Sequence, residues 1–174
     1  MKPLLIVDGY NVIGAWKEAE KHNWSLDESR DQLLHHLEDY SGYSGEEIVL
    51  VFDGYMSDRR VRTEELRGDV TIVYTKHAET ADSYIERLVA ITPKYRMVRV
   101  ATSDGLEQSQ VLGTGAVRMT SRELLRELRQ MRQQGISNHE SGRLGLQRSK
   151  LEARLPEETR RVLEAMRRGN GKQK

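Results

Sequence analysis

The 174-residue chain contains no cysteine, which excludes disulfide bonds and thiolate metal sites. The adjacent His35 and His36 would point about 100° apart on a helix, so zinc chemistry is not expected either. Mean hydropathy is low, at −0.70. No apolar run approaches the roughly 18 residues that a membrane span needs, so no membrane partner is expected.

Two common nucleotide-binding motifs are also missing. Neither G-x-G-x-x-G nor G-x-x-x-x-G-K-[ST] occurs, which argues against a nucleotide cofactor.

The apolar stretch at the N-terminus is too short for a signal peptide and is interrupted by Asp8. The lack of a signal peptide and the lack of cysteine together predict a cytoplasmic protein.

Charge is unevenly distributed along the chain, although the net charge is only +1. Residues 1–117 contain 13 Lys and Arg against 20 Asp and Glu, whereas residues 118–174 contain 15 against 7. An acidic body with a basic tail is typical of a protein that holds a polyanion with one part while carboxylates act in the other. Arginine-rich helix surfaces are also often simply solvated, so the tail alone leaves both interpretations open.

Apolar runs rich in Val and Ile alternate with segments of helical periodicity. The runs are predicted strands at 4–7, 48–52, 70–74, 97–101 and 116–119. Helices are predicted near Gly105 and over 26–40, 80–91 and 120–134. The segment between the second and third strands is too short to hold a typical helix. Because apolar strands separated by helices indicate a sheet covered on both faces, the predicted fold is a three-layer α/β/α arrangement with a mostly parallel central sheet.

The composition changes after Gly135. The stretch GISNHESGRLGLQ is rich in Gly, Ser and Asn and has no period, which predicts a linker. A short helix is predicted from Pro156, with acidic residues in its first turn and arginines in its last. The chain is therefore expected to form one domain over 1–134, followed by a basic loop and helix over 135–174.

Aspartates follow three of the predicted strands: Asp8, Asp53 and Asp104. Because the carboxyl ends of parallel strands share one edge of a sheet, these side chains are expected to lie together. Asp82, in the first turn of the helix that Thr80 is predicted to cap, is expected to face the same edge. A single aspartate at such a position is most often a cap or turn residue, but four at one edge predict a site.

Carboxylates this close together need a counter-ion, because two charges about 5 Å apart repel by roughly 3 kcal/mol at an effective dielectric of about 20. Mg²⁺ or Mn²⁺ prefers oxygen ligands and suits hydrolysis of a phosphodiester by an activated water. Asn11 is expected to orient that water or to hold Asp8 in position. Tyr10 and Tyr55, each two residues beyond an aspartate, are expected to pack on the sheet or to stack on a base.

Four short motifs in this order, VDGYNVI, VFDG, ETADSYIE and VATSDGLEQ, resemble the NYN branch of the PIN-like ribonucleases, above all its YacP-type members from Gram-positive bacteria. The resemblance implies a PIN-like fold over 1–134 and metal-dependent endoribonuclease activity. It also implies that Asp8, Asp82 and Asp104 are catalytic metal ligands, assisted by Asn11 and Asp53. Cleavage of mRNA on translating ribosomes is a further implication of the resemblance.

Two groups of basic residues are predicted RNA contacts, although an ordinary solvated surface explains the first group equally well. They are Arg59, Arg60 and Arg62 after the second strand, and Arg143, Arg148 and Lys150 in the tail. Two other functions stay open. One is a non-catalytic RNA- or ribosome-binding factor. The other is a phosphatase or phosphotransferase that uses Asp8 as nucleophile, which is disfavoured because a tyrosine, not a second aspartate, stands two residues later.

Overall fold

The computed structural model describes residues 1–54, 61–103 and 115–135, and the residues up to Met131 form one compact unit. The described residues contain six strands: β1 Leu4–Asp8, β2 Glu47–Phe52, β3 Thr63–Arg67, β4 Val70–Tyr74, β5 Val98–Thr102 and β6 Val117–Thr120. They also contain five helices: α1 Gly9–Gly14, α2 Lys17–Lys21, α3 Leu26–Ser44, α4 Ala81–Ile91 and α5 over 121–135.

The strands form a single sheet in the order β3-β4-β2-β1-β5-β6. All neighbouring pairs are parallel except β3 with β4. In the register, Asp8 lies beside Val51 of β2, and Val7 lies beside Ala101 of β5. The chain runs from β1 to β2 on one side and later to β5 on the other, which makes the carboxyl end of β1 a topological switch point where α/β proteins bind ligands.

Helices cover both faces of the sheet, which confirms the predicted three-layer arrangement. Leu5 and Val7 of β1 point into a core shared with α1, α3 and α5. Leu4 and Ile6 point into the second core, which α4 completes. Because both faces are buried, the strand is apolar at four consecutive positions rather than alternating.

Side-chain caps define where three of the helices begin, among them the Thr80 cap that the sequence predicts. Ser25 and Glu28 form a reciprocal capping box at α3. Thr80 accepts a hydrogen bond from the backbone of Ser83 at the start of α4. Thr120 and Glu123 bond each other's backbone N–H groups at the start of α5, at 3.1 and 2.7 Å. Each cap satisfies a helix N–H group that otherwise has no partner within the helix.

Three elements are absent from the sequence-based prediction. The segment between β2 and β4 contains β3, a fully exposed antiparallel edge strand of sequence TEELR. It turns back at Gly68, whose φ of +58° favours glycine. Charged residues are suited to an exposed edge, where they oppose pairing with another chain, but they carry no apolar signal. The short helices α1 and α2 also went unpredicted.

Among the described residues, no helix is both long and apolar enough to cross a membrane. The predicted helix near Gly105 and the predicted linker and helix of 135–174 lie almost wholly outside the described residues. The predicted domain boundary after residue 134 therefore stays a prediction.

Candidate active site

Asp8 is the last residue of β1, the middle strand of the parallel part of the sheet, and only 5% of it is exposed. Its carboxylate accepts two hydrogen bonds from Asn11. Oδ1 accepts from the backbone N–H at 3.2 Å, and Oδ2 accepts from the side-chain amide at 2.6 Å. Asp8 is thereby also the N-cap of α1, so the strand ends and the helix begins at one carboxylate.

Gly9 follows Asp8 because no side chain fits there. A Cβ atom on Gly9 would lie 2.3 Å from Cε1 of Phe52, which is fully buried at the end of β2. Such overlap in a packed core forces neighbouring groups to shift. Phe52 also packs against Tyr10, with 5.1 Å between the ring centroids. The glycine of the DGYN motif thus lets α1 start directly against β2.

Asp53 follows β2 and is hydrogen-bonded to the start of α4. Its Oδ2 accepts a hydrogen bond from the backbone N–H of Ala81, the first residue of α4, at 3.4 Å. A negative charge is favourable at this end of a helix. Asp82 is the next residue of α4, in its acidic first turn, and its side chain is half-buried.

The three aspartates interact electrostatically. The pKa of Asp8 is raised from 3.8 to about 6, mainly by burial and further by the negative charges of Asp82 and Asp53. The two hydrogen bonds from Asn11 offset part of it, because they stabilise the charged form. The fold therefore brings Asp8, Asp53 and Asp82 to the same edge of the sheet, as the sequence predicts, and makes ionisation of Asp8 costly.

This cost predicts a pH-dependent stability for the metal-free protein. The folded protein holds the Asp8 proton up to about pH 6, whereas the unfolded chain releases it near pH 3.8. The folded state binds more protons in this interval, so this group lowers the free energy of unfolding as pH rises from about 4 to above 6, by up to about 3 kcal/mol. Urea unfolding in EDTA across this range should show that fall in the wild type and a weaker one in Asp8→Asn. Equal pH profiles for the two proteins would contradict it.

A hydrogen-bonded connection holds the acidic strand end against the loop that leads into α4. The Thr75 hydroxyl accepts from the backbone N–H of Gly54 at 2.8 Å and donates to the carbonyl of Glu79 at 2.7 Å. The buried Glu79 side chain is bound by Arg62 and Arg87. Burial opposes ionisation of Glu79, but the bonds from the two guanidinium groups outweigh it and lower its pKa. These contacts fix Asp53 and α4 relative to each other.

Arg62 is the one predicted RNA-binding residue that lies within the described residues. Its guanidinium donates to both carboxylate oxygens of Glu79, at 2.6 and 3.4 Å, and lies 4.7 Å from the ring centroid of Tyr84. The side chain therefore has a structural partner, and its contact with RNA stays a prediction. The other predicted RNA contacts lie outside the described residues: Arg59, Arg60, Arg143, Arg148 and Lys150.

Asp104, the remaining predicted metal ligand, also lies outside the described residues. The residue before it, Ser103, follows the carboxyl end of β5, the strand that pairs with β1. Across 1–54, 61–103 and 115–135, no three His, Asp or Glu side chains are grouped closely enough to hold a metal ion. The metal ligation predicted for Asp8, Asp82 and Asp104 therefore stays a prediction.

A pocket of about 330 Å³ opens beside Asn11 at the same edge of the sheet. Residues that follow three neighbouring strands line it: Tyr10, Asn11, Gly14 and Ala15 after β1, Ser103 after β5, and Ser121 and Arg122 after β6. Sequence reasoning singled out Tyr10 and Asn11 but missed Ser121 and Arg122. The rule that found the aspartates would also have found these two, because they lie within three residues of the end of the fifth predicted strand.

Comparison with known proteins identifies close relatives. The family profile described as YacP-like NYN domain matches residues 5–168. The YacP protein of Bacillus subtilis is 40% identical over 128 residues, which cover 72% of this chain and 74% of that protein. Two crystal structures of Rae1 (YacP) from Bacillus subtilis are each 32% identical. A point mutant gives a TM-score of 0.67, covering 94% of this chain and 99% of that one. The second gives 0.63, covering 98% and 97%.

Proposed function

Because the chain belongs to the YacP-like NYN domain family, we propose that it is a metal-dependent endoribonuclease that cleaves mRNA in association with translating ribosomes. The family and its solved relatives favour an RNA-related nuclease. One observation carries the proposal: the buried Asp8, whose pKa is raised by burial and by the charges of Asp82 and Asp53. A carboxylate with a strongly raised pKa at the ligand-binding edge of a sheet is typical of a catalytic site.

The side chains at this edge suit a hard divalent cation. Asp8, Asp53 and Asp82 offer only carboxylate oxygens, the ligands that Mg²⁺ and Mn²⁺ prefer. We propose that Asp8 and Asp82 hold the ion together with Asp104. When bound, the ion supplies Lewis acidity toward the phosphodiester and lowers the pKa of water. Asn11 keeps the Asp8 carboxylate oriented through its amide bond of 2.6 Å, and Asp53 keeps α4, which carries Asp82, in place.

The basic residues are assigned to RNA in the same proposal. Arg59, Arg60, Arg62 and the basic tail would contact phosphates, which position a nucleic acid without reading its sequence. The tail would act near the ribosome, whose surface is rich in RNA phosphate. A cytoplasmic location agrees with both partners and with the lack of cysteine.

Mapping RNA 5′ ends in cells tests the proposed function. Cells with the wild-type protein should contain a set of 5′-phosphorylated ends, because attack by water leaves a 5′-phosphate and a 3′-hydroxyl. These ends should be missing both from cells that carry Asp82→Asn and from cells without the protein. Asp31→Asn serves as the matched control, because Asp31 is exposed on α3 and far in sequence from every site aspartate.

Ends that persist with Asp82→Asn would contradict direct cleavage by this chain. If the Asp82→Asn cells also keep the wild-type phenotype, the protein acts as a non-catalytic RNA- or ribosome-binding factor. Fragments with 2′,3′-cyclic phosphate ends would instead indicate attack by the 2′-hydroxyl of the RNA, and this would overturn the proposed role of the carboxylates.

A further inference from the structure

The pocket lined by Tyr10, Asn11 and Arg122 lies next to the acidic site. Asn11 belongs to both, because its side-chain amide donates to Asp8 at 2.6 Å and also lines the pocket. A group bound in the pocket would therefore lie one side chain away from Asp8. The acidic residues Asp53 and Asp82 come from the β2 side of Asp8, whereas the pocket is built from the ends of β1, β5 and β6.

The wall formed by the start of α5 is suited to a phosphate. Ser121 and Arg122 are the first two residues of α5, where backbone N–H groups have no partner within the helix and the helix dipole favours an anion. Arg122 is exposed and adds a positive charge at this wall.

Ser121 provides a second, independent observation. Only 3% of it is exposed, and its hydroxyl has no hydrogen-bond partner among the described residues, although a buried hydroxyl normally has one. Ser121 also lines the pocket, so its hydroxyl lies beside the volume that a phosphate would occupy and is a donor without a partner there. A bound phosphate thus accounts for a polar group that the protein alone leaves unsatisfied.

The rest of the pocket is suited to a sugar and a base. Its volume of about 330 Å³ is at the lower end of small-molecule sites, which span roughly 300–1,000 Å³, so it has room for one nucleotide but not for a duplex. Tyr10 lines it with a half-buried ring that is braced against Phe52. An aromatic ring held in this way can stack on an unpaired base.

We propose that this pocket binds one nucleotide of a single-stranded RNA, next to the phosphodiester cleaved at Asp8, with its phosphate at Arg122 and the start of α5 and its base against Tyr10. This assignment rests on the proposed nuclease function and gives the strand that is cleaved one nucleotide-sized subsite beside Asp8.

Two pairs of matched variants test the pocket. Arg122→Gln removes the charge that lines it, and Arg126→Gln removes the same charge one turn along α5, at an exposed residue outside the pocket lining. Gly14→Leu adds bulk at the pocket wall, where a Cβ meets nothing within 4 Å. Gly42→Leu makes the same change on α3, also in open space. Both glycines are helical, so the backbone effects of the two leucine variants should be similar.

Binding is measured in EDTA, where no metal-dependent cleavage occurs. The probes are a fluorescein-labelled single-stranded RNA followed by anisotropy and uridine 5′-monophosphate followed by calorimetry. We expect Arg122→Gln and Gly14→Leu to weaken binding of both probes by about tenfold or more, as for loss of a charged hydrogen bond. Arg126→Gln and Gly42→Leu should stay within about twofold of the wild type, because surface changes away from a site have small effects.

The outcomes separate this proposal from the proposed function. If the pocket variants bind both probes as the wild type does, or if the wild type binds neither, the pocket assignment is overturned whatever the cleavage result. If binding follows the expected pattern but Asp8→Asn cleaves RNA like the wild type, nucleotide binding by the pocket stands, whereas the nuclease mechanism and the placement of the pocket beside the cleaved bond fail. Equal weakening in a variant and its matched control would show a general effect of charge or folding and would also overturn the pocket.

Discussion

If the proposed function holds, Asp8→Asn is expected to slow RNA cleavage by about 10³-fold, because it removes a carboxylate from the proposed metal site, where a bound cation would stabilise the transition state by several kcal/mol. The substitution is nearly isosteric, and an asparagine oxygen can still accept the backbone N–H of Asn11 that now bonds the Asp8 carboxylate at 3.2 Å. The fold should therefore persist while the negative charge is lost. The measurement is the single-turnover rate with Mg²⁺, on free RNA and on mRNA carried by ribosomes.

Stability provides an internal check on this variant. Above pH 6 the metal-free Asp8→Asn protein should be at least as stable as the wild type, since ionised Asp8 is destabilising there. Loss of cleavage together with unchanged or higher stability would assign the effect to chemistry and not to unfolding. Asp31→Asn, at an exposed position of α3, should cleave at the wild-type rate. A rate for Asp8→Asn within tenfold of the wild type would rule out a direct role for this carboxylate.

Arg99→Met is expected to lower the free energy of unfolding by about 3–5 kcal/mol, because it leaves a buried carboxylate without its partner. Arg99 lies on β5 and donates to both oxygens of Glu46, at 3.0 and 2.6 Å. Glu46 is only 7% exposed. Arg99 also contacts Glu127 of α5 and the hydroxyl of Tyr40 of α3, so one guanidinium joins two helices to the sheet. Urea unfolding measures the change.

A surface pair serves as the comparison. Arg67 pairs with Glu65, and both side chains are about half exposed, so Arg67→Met should lower the free energy of unfolding far less than Arg99→Met. The double variant Arg99→Met/Glu46→Gln should recover part of the loss, because the uncompensated charge is gone. The double variant also covers the case in which Arg99→Met alone does not fold. If Arg99→Met and Arg67→Met lose equal stability, the buried network does not hold these helices to the sheet.

Buried carboxylates lie at both ends of the sheet, but their surroundings differ. Near the start of β5, the Arg99 guanidinium bonds both oxygens of the buried Glu46 carboxylate and compensates its charge. At the carboxyl edge, Asp8 is buried with two other aspartates nearby, and its pKa of about 6 records a cost. Such a destabilising carboxylate is expected where function requires it, since stability and activity compete at such sites.

Among the described elements, five of the six strands and three of the five helices were predictable from local sequence. Apolar runs such as LLIV can be buried on both faces, and the caps at Ser25, Thr80 and Thr120 satisfy helix N–H groups with their own side chains. These signals depend only on neighbouring residues. Strand β3 carries no such signal, because an exposed edge strand buries no apolar face and is held mainly by its backbone pairing with β4.

By itself, the sequence determined that aspartates follow buried strands and that a basic segment follows an acidic one. Only the tertiary structure decided that Asp8, Asp53 and Asp82 interact, because that depends on the register of β1 with β2 and on the bond between Asp53 and the first turn of α4. It also decided that Arg62 binds Glu79 and that Arg122 shares a pocket with Tyr10. The physical reason is range: capping and burial act between near neighbours, whereas the charges and walls of a site are assembled from strand ends far apart in the chain.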